Sequence, residues 1–225
     1  MSYYVIMEYP IKVNYKYTNN TYKAKQWLDN LPDLFAADFE TASKYTKKEK
    51  DTFMYRLQHN NLSFEEHRQL LQKYTSNGLS HPSLTVITHL SVADSYNNGY
   101  VIVCDSDSIR ELVCNFLVTT NKTQIWHNAC FDFLRIYYIT HKIPKQYIDT
   151  QLLSKSLLNN ANPLKDKTGL KELMAYAYGD WAISKDEFTL EDMWKESTIR
   201  YSATDSCATY KLYEDIQAEL KKWSI

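Results

Sequence analysis

With 225 residues, 44% of them hydrophobic and 24% charged, the chain has room for one α/β domain with a full core. Its net charge of −1 excludes a protein that coats long duplexes by charge alone, but not an enzyme that grips a short strand end and takes its positive charge from metal ions. No stretch approaches the ~20 apolar residues that span a bilayer, and Met1–Glu8 lacks a signal-peptide pattern. Cys104, Cys114, Cys130 and Cys207 have neither zinc spacing nor the density of a disulfide framework, so reduced, mostly buried thiols and a cytoplasmic protein are expected (host cytoplasm for a viral source).

The first thirty residues read as an extension: patchy alternation from Tyr3 to Tyr17 suggests one or two edge strands, and a short helix over Tyr22–Leu28 ends at Asn30-Leu31-Pro32. An apolar strand, Leu34–Glu40, opens the core. Between Lys44 and Pro82 the pattern turns polar, with helical pieces at Lys47–Gln58 and Ser63–Tyr74. Ser63-Phe64-Glu65-Glu66 has the form of a capping box, and the stretch reads as a helical insertion on the surface. The Lys47-Lys48-Glu49-Lys50 run within it reads as a solvated helix face.

Strand signals return at Leu84–Val92 and Tyr100–Cys104 around a turn at Asn97-Asn98-Gly99, which completes an antiparallel meander. A helix over Asp107–Leu117 follows. The order then becomes strand Gln124–His127, helix Phe131–Thr140, strand Tyr147-Ile148 and helix Thr150–Leu158. A loop at Asn159–Pro163 leads to a helix, Leu170–Tyr178, stopped by Gly179, and a last helix covers Thr198–Lys222. A meander followed by crossover units implies a mixed sheet with helices on both faces.

Asp38-Phe39-Glu40 is the only Asp-x-Glu in the chain, and on a strand its two carboxylates share a face. Such a pair makes sense when a divalent cation offsets the repulsion. Asp132 stands where a helix begins after a strand, and alone it reads as a first-turn residue favoured by the helix dipole. Tyr201 and Asp205, four apart on the last helix, share a face. Tyr176 and Asp180 repeat that spacing, but Gly179 ends the helix between them. Asp149 caps the helix that follows it.

Taken together and in order, Asp38-x-Glu40, Asn128-x-x-Phe131-Asp132 and Tyr201-x-x-x-Asp205 resemble the three motifs of the DEDD exonucleases. The resemblance is to the tyrosine branch, which includes the proofreading domains of family A DNA polymerases and RNase D. The histidine branch would need a His where Arg200 stands. Thr168–Leu173 and Asp149–Leu153 resemble two further elements of the family, and Leu84–Val103 looks more like polymerase proofreading domains of phage type than like RNase D.

The resemblance implies a ribonuclease H-like fold with a mixed five-stranded sheet, a single domain over residues 1–225, and the helical insertion at 44–82. It implies a two-metal 3′→5′ exonuclease that releases nucleoside 5′-monophosphates from single-stranded DNA, alone or beside a separate polymerase or replication protein. An RNA or oligonucleotide exonuclease of RNase D type is the alternative, and a non-catalytic module that binds strand ends or a partner through the Lys44–Pro82 insertion a further one. Two Mg²⁺ or Mn²⁺ ions would be held by oxygen ligands, the first by Asp38, Glu40 and Asp205, the second by Asp38 and the water shell that Asp132 anchors. Tyr201 would aim the attacking water. Thr41, His127 and Asn128 are expected at the terminal nucleotide, with a packing or hydrogen-bonding role preferred for His127. Lys165, Lys167 and Lys171 are expected to steer the strand's phosphates.

Overall fold

The computed structural model describes residues 12–44, 55, 63, 65–66, 82, 85–157, 167–179 and 190–223. Six strands form one sheet: β1 (Asn14–Thr18), β2 (Leu34–Ser43), β3 (Thr85–Ser95), β4 (Asn98–Val103), β5 (Thr123–Trp126) and β6 (Tyr147–Asp149). Their spatial order is β1-β4-β3-β2-β5-β6. β2, β3 and β4 are the antiparallel meander, while β1 joins β4, and β5 and β6 extend from β2, all in parallel. The sheet therefore has one strand more than the five expected. The sixth is β1, from the N-terminal extension, which pairs Asn14–Thr18 with Asn98–Ile102.

Among the described residues six α-helices accompany the sheet: α1 (Thr21–Asp29), α2 (Asp107–Thr119), α3 (Ala129–Thr140), α4 (Thr150–Leu157), α5 (Leu170–Tyr178) and α6 (Glu196–Trp223). The two-residue period of β2 sorts its side chains between two cores. Phe35, Ala37 and Phe39 enter the core that holds Leu28 of α1, Val113 and Leu117 of α2, and Phe133 and Ile136 of α3. Ala36 points the other way, into the core formed with Leu173 and Met174 of α5 and Cys207, Ala208 and Leu212 of α6. Asp38 and Glu40 are in phase with Ala36, so the strand delivers both carboxylates to the α6 side.

α6 lies close on the sheet because the residues it turns inward are small. Ala203 and Cys207 are fully buried, and Gly99 of β4 faces both. The meander turn falls at Tyr96-Asn97, so β4 starts at Asn98, whose amide donates 2.8 Å bonds to both carboxylate oxygens of Asp94. The capping box in the insertion forms: Ser63 N–H donates to Glu66 Oε2 (2.9 Å) and Glu66 N–H to Ser63 Oγ (3.3 Å). Apart from Lys44, Tyr55, Glu65 and Pro82, the rest of the insertion, its Lys47–Lys50 run included, and the loop at 159–163 lie outside the described residues. All four cysteines are free thiols, and only Cys130 is exposed. Among the described residues no helix is long and apolar enough to cross a membrane.

A side-chain carbon added at Gly99 would stand 3.4 Å from Ala203 Cβ, the Ala203 carbonyl oxygen and Cys207 Sγ. A branched side chain there must push α6 off the sheet. Gly99→Val is therefore expected to destabilise the fold by about 1–3 kcal/mol, read from the urea midpoint at unchanged slope.

Candidate active site

Asp38, Glu40 and Asp205 each offer a carboxylate oxygen, and these atoms all lie within 4.8 Å of one another. Two adjacent elements create this cluster: β2 supplies the first pair from one face, and α6 supplies Asp205 one turn beyond Tyr201. A bulge falls at the same place. Glu40 pairs with His89, but Thr41 pairs with Ile87, which leaves Thr88 as the extra residue on β3. Such bulges bend a strand locally and re-aim side chains.

Asp132 sits in the first turn of α3 and lies outside that tight trio, yet it feels the trio's charge. Burial, followed by the charge of Asp38, pushes its carboxyl well above the ordinary carboxylate range; the Arg135 guanidinium and the Phe39 N–H pull the other way. Its Oδ1 is buried and finds no hydrogen-bond partner among the described residues. Arg135, three residues further along α3, is itself only 3% exposed and stacks 3.4 Å over the Phe131 ring. Burial lowers its pKa to about 10, with Asp132 acting in the opposite direction.

Tyr201 is 3% exposed. Burial, then the charges of Glu40 and Asp38, raise its pKa, so the phenol keeps its proton and can donate a hydrogen bond. Lys171 reaches in from α5: its ammonium pairs with Asp205 Oδ1 and lies 4.2 Å from the centroid of the Tyr201 ring. The sequence reading placed Lys171 on the strand's phosphates, and the structure places it on a carboxylate.

Among the described residues, four carboxyl groups thus face two cations, Arg135 at Asp132 and Lys171 at Asp205. The remaining negative charge, the oxygen-only donors and the orphaned Asp132 Oδ1 fit hard divalent cations well.

The supports of this cluster are hydrogen bonds between segments distant in sequence. Asp149 accepts from the backbone of Asn128 (3.2 Å), Ala129 (2.9 Å), Gln151 (2.9 Å) and Leu152 (3.3 Å). It caps α4, as its sequence position suggests, and it also caps α3, whose own Asn128 is left-handed (φ 62°) and makes no side-chain cap. His127 has both ring nitrogens engaged: Nε2 donates to the Thr168 carbonyl and Nδ1 lies 2.9 Å from Thr150 Oγ1. This geometry supports the preferred hydrogen-bonding role for His127. His89, opposite Glu40, donates through Nε2 to the Met193 carbonyl (2.8 Å) and ties β3 to the approach to α6.

Thr41 follows Glu40 on β2 and is partly accessible, Asn128 is exposed beside α3, and Lys167 is exposed ahead of α5; Lys165 lies outside the described residues. Arg135 and the double role of Asp149 were missed from sequence. Arg135 had a usable signal, since i and i+3 on a helix are neighbours. The bonds from Asp149 to residues twenty and twenty-one positions earlier had none.

Residues 83–221 match the sequence profile of a family described as 3′–5′ exonuclease. No curated protein sequence matches the chain. Among solved structures the fold is similar to Brucella melitensis NrnC bound to pGG, with TM-score 0.58 and 17% identity over 95% of this chain and 83% of that one. It is similar to Escherichia coli RNase D, an exoribonuclease involved in structured RNA processing, with TM-score 0.56 and 13% identity over 93% and 46%. The catalytic core of RRP6 from Trypanosoma brucei gives TM-score 0.57 and 10% identity over 98% and 50%. At such identities the likeness is one of fold. The profile match begins after Glu40, so it is the structure that brings Asp38 and Glu40 to Asp205.

Replacing Asp149 with alanine leaves four backbone N–H groups without their carboxylate. A loss of roughly 2–4 kcal/mol in urea unfolding is expected. An effect below ~0.5 kcal/mol, the level of an ordinary surface substitution, would show that the latch does not hold α3.

Proposed function

Because the chain belongs to the 3′–5′ exonuclease family, we propose that it removes nucleoside 5′-monophosphates from the 3′ end of a single-stranded nucleic acid, DNA in the first instance. The observation that carries this reading is the meeting of Asp38, Glu40 and Asp205 beside a protonated Tyr201. In this reading residues 1–225 act as one catalytic domain of the tyrosine branch, with 1–30 an extension and 44–82 an insertion.

Asp38, Glu40 and Asp205 would hold one divalent cation, Mg²⁺ or Mn²⁺, and Asp38 with Asp132 a second. Bound there, the two ions supply Lewis-acid stabilisation to the attacking and leaving oxygens of an in-line displacement at phosphorus. Tyr201 donates its phenol proton as a hydrogen bond to the attacking water and fixes its line of approach. Its raised pKa suits orientation, because the group stays a donor through the neutral range. Burial of Glu40, Asp132 and Asp205 limits bulk water at the reacting phosphate, which strengthens each electrostatic contact. Thr41 and Asn128 would contact the terminal nucleotide and Lys167 the incoming phosphates, a role the sequence also assigns to Lys165. His127 keeps the segment around Asn128 in place from behind.

The preference for DNA comes from the likeness of Leu84–Val103 to phage-type proofreading domains, in which case a separate polymerase or replication protein is the natural partner. A specific observation favours RNA or short oligonucleotides as the second reading. Similar folds were solved as NrnC bound to pGG and as Trypanosoma brucei RNase D in complex with RNA U12.

Digestion of matched 5′-labelled DNA and RNA strands tests both readings. Stepwise shortening from the 3′ end is expected with Mg²⁺ or Mn²⁺ and none with a chelator, and faster loss of RNA would reverse the substrate preference. Asp38→Ala is expected to abolish shortening. Tyr201→Phe should slow it about 10–100-fold with little change in KM, as for loss of one positioned hydrogen bond in the transition state. Full activity in Asp38→Ala would overturn the metal assignment, and a strand that stays full length with either ion would leave an end-binding module.

A further inference from the structure

We propose that Lys171 is a stand-in cation: its ammonium occupies Asp205 until a divalent ion displaces it, and then turns to the phosphate of the strand. The proposal rests on the metal reading above and adds a residue that reading does not use.

Lys171 is the second residue of α5, whose N-terminus is set by Gly169 and Glu172, with the Gly169 N–H donating to Glu172 Oε2 at 3.2 Å. The first turn of a helix is the wrong place for a cation, since the helix dipole is positive there. Something must offset that cost. The offset is Asp205, whose side chain is only 8% exposed and stands in a cluster with two further carboxylates. A trio of that kind without a counter-charge is expensive to bury. The face of Tyr201, 4.2 Å from Nζ, gives the ammonium a second favourable surface.

The contact also sets up a competition. Lys171 Nζ sits on Asp205 Oδ1, and a metal ligand cannot offer the same lone pairs to an ammonium and to a divalent cation at once. A metal ion that takes Asp205 Oδ1 must therefore move Lys171. Its side chain is 31% exposed on a flexible four-carbon stem, so it can swing outward while staying beside the site. What it meets there is the anionic strand. Metal loading would thus be coupled to substrate capture, and the metal-free protein would be protected from its own negative charge. The coupling lowers metal affinity and raises metal-free stability.

The experiment is Mn²⁺ titration of the full chain without nucleic acid, followed by electron paramagnetic resonance of free Mn²⁺, with Tm measured in EDTA and in Mn²⁺. Lys171→Met is expected to bind Mn²⁺ roughly 3–10-fold tighter, the range for removing one competing ion pair of ~1 kcal/mol. It should melt below the wild type in EDTA and gain more from Mn²⁺. Lys155→Met, which removes an exposed lysine from α4, is the control for bulk charge and should bind Mn²⁺ as the wild type does. Equal or weaker Mn²⁺ binding in Lys171→Met overturns the proposal, as does equal tightening in Lys155→Met. A wild type that shows no saturable Mn²⁺ binding overturns the metal reading itself, which separates the two failures. Should Lys171→Met not fold without metal, Lys171→Gln carries the same comparison.

Discussion

Four carboxylates from three distant parts of the chain are pressed into one largely buried volume, and their mutual repulsion is the constraint to which the surrounding structure answers. Glu40 and Asp132 are almost fully inaccessible, and Asp205 nearly so. Folding gains nothing from gathering them, and each would be more comfortable in water. The protein responds in two ways. It places a guanidinium at Asp132 and an ammonium at Asp205, and it leaves the rest of the charge for an ion of the kind that oxygen ligands prefer. The local cost is the mark of a site built for chemistry rather than stability.

Crowding of this kind needs stiff neighbours, or the side chains would relax apart. The stiffness comes from polar bonds that span long stretches of sequence. Asp149 binds the starts of two helices with one carboxylate. His127 joins β5 to the segment before α5, and His89 joins β3 to the residues that lead into α6. Every element that presents a functional group is held by at least one such bond or by close packing, as α6 is at Gly99.

The elements were largely legible in the sequence because their periods are clear. The apolar alternation of β2, the helical spacing of α6 and the stop at Gly179 each follow from local rules, and their positions agree with the fold. The site trio was legible for the same reason: period 2 puts Asp38 beside Glu40, and period 3.6 puts Asp205 beneath Tyr201. What stayed hidden was non-local. Nothing in Asn14–Thr18 announces a parallel partner in β4, since register between distant strands depends on the whole sheet. The turn before β4 was misplaced by about two residues because Asn98 is held by Asp94, a side-chain contact that turn propensities do not contain. The pairing of Lys171 with Asp205 was equally hidden, since that partner lies thirty-four residues away on another helix.

The closure of β2 on β3 has a wider meaning. The two strands are joined through residues 44–84, yet their last described pair is Ser43 opposite Thr85, as close as in a short hairpin. The chain leaves the sheet and returns to it at adjacent points. The entropy of closing such a connection rises only with the logarithm of its length. Lengthening or trimming it therefore alters little in the thermodynamics of the sheet, and the bulge at Thr88 separates its base from Glu40. That stretch can vary by insertion, deletion or recombination across a lineage while the carboxylates stay where they are. The connection and the carboxylates thus stand at different places along the same pair of strands.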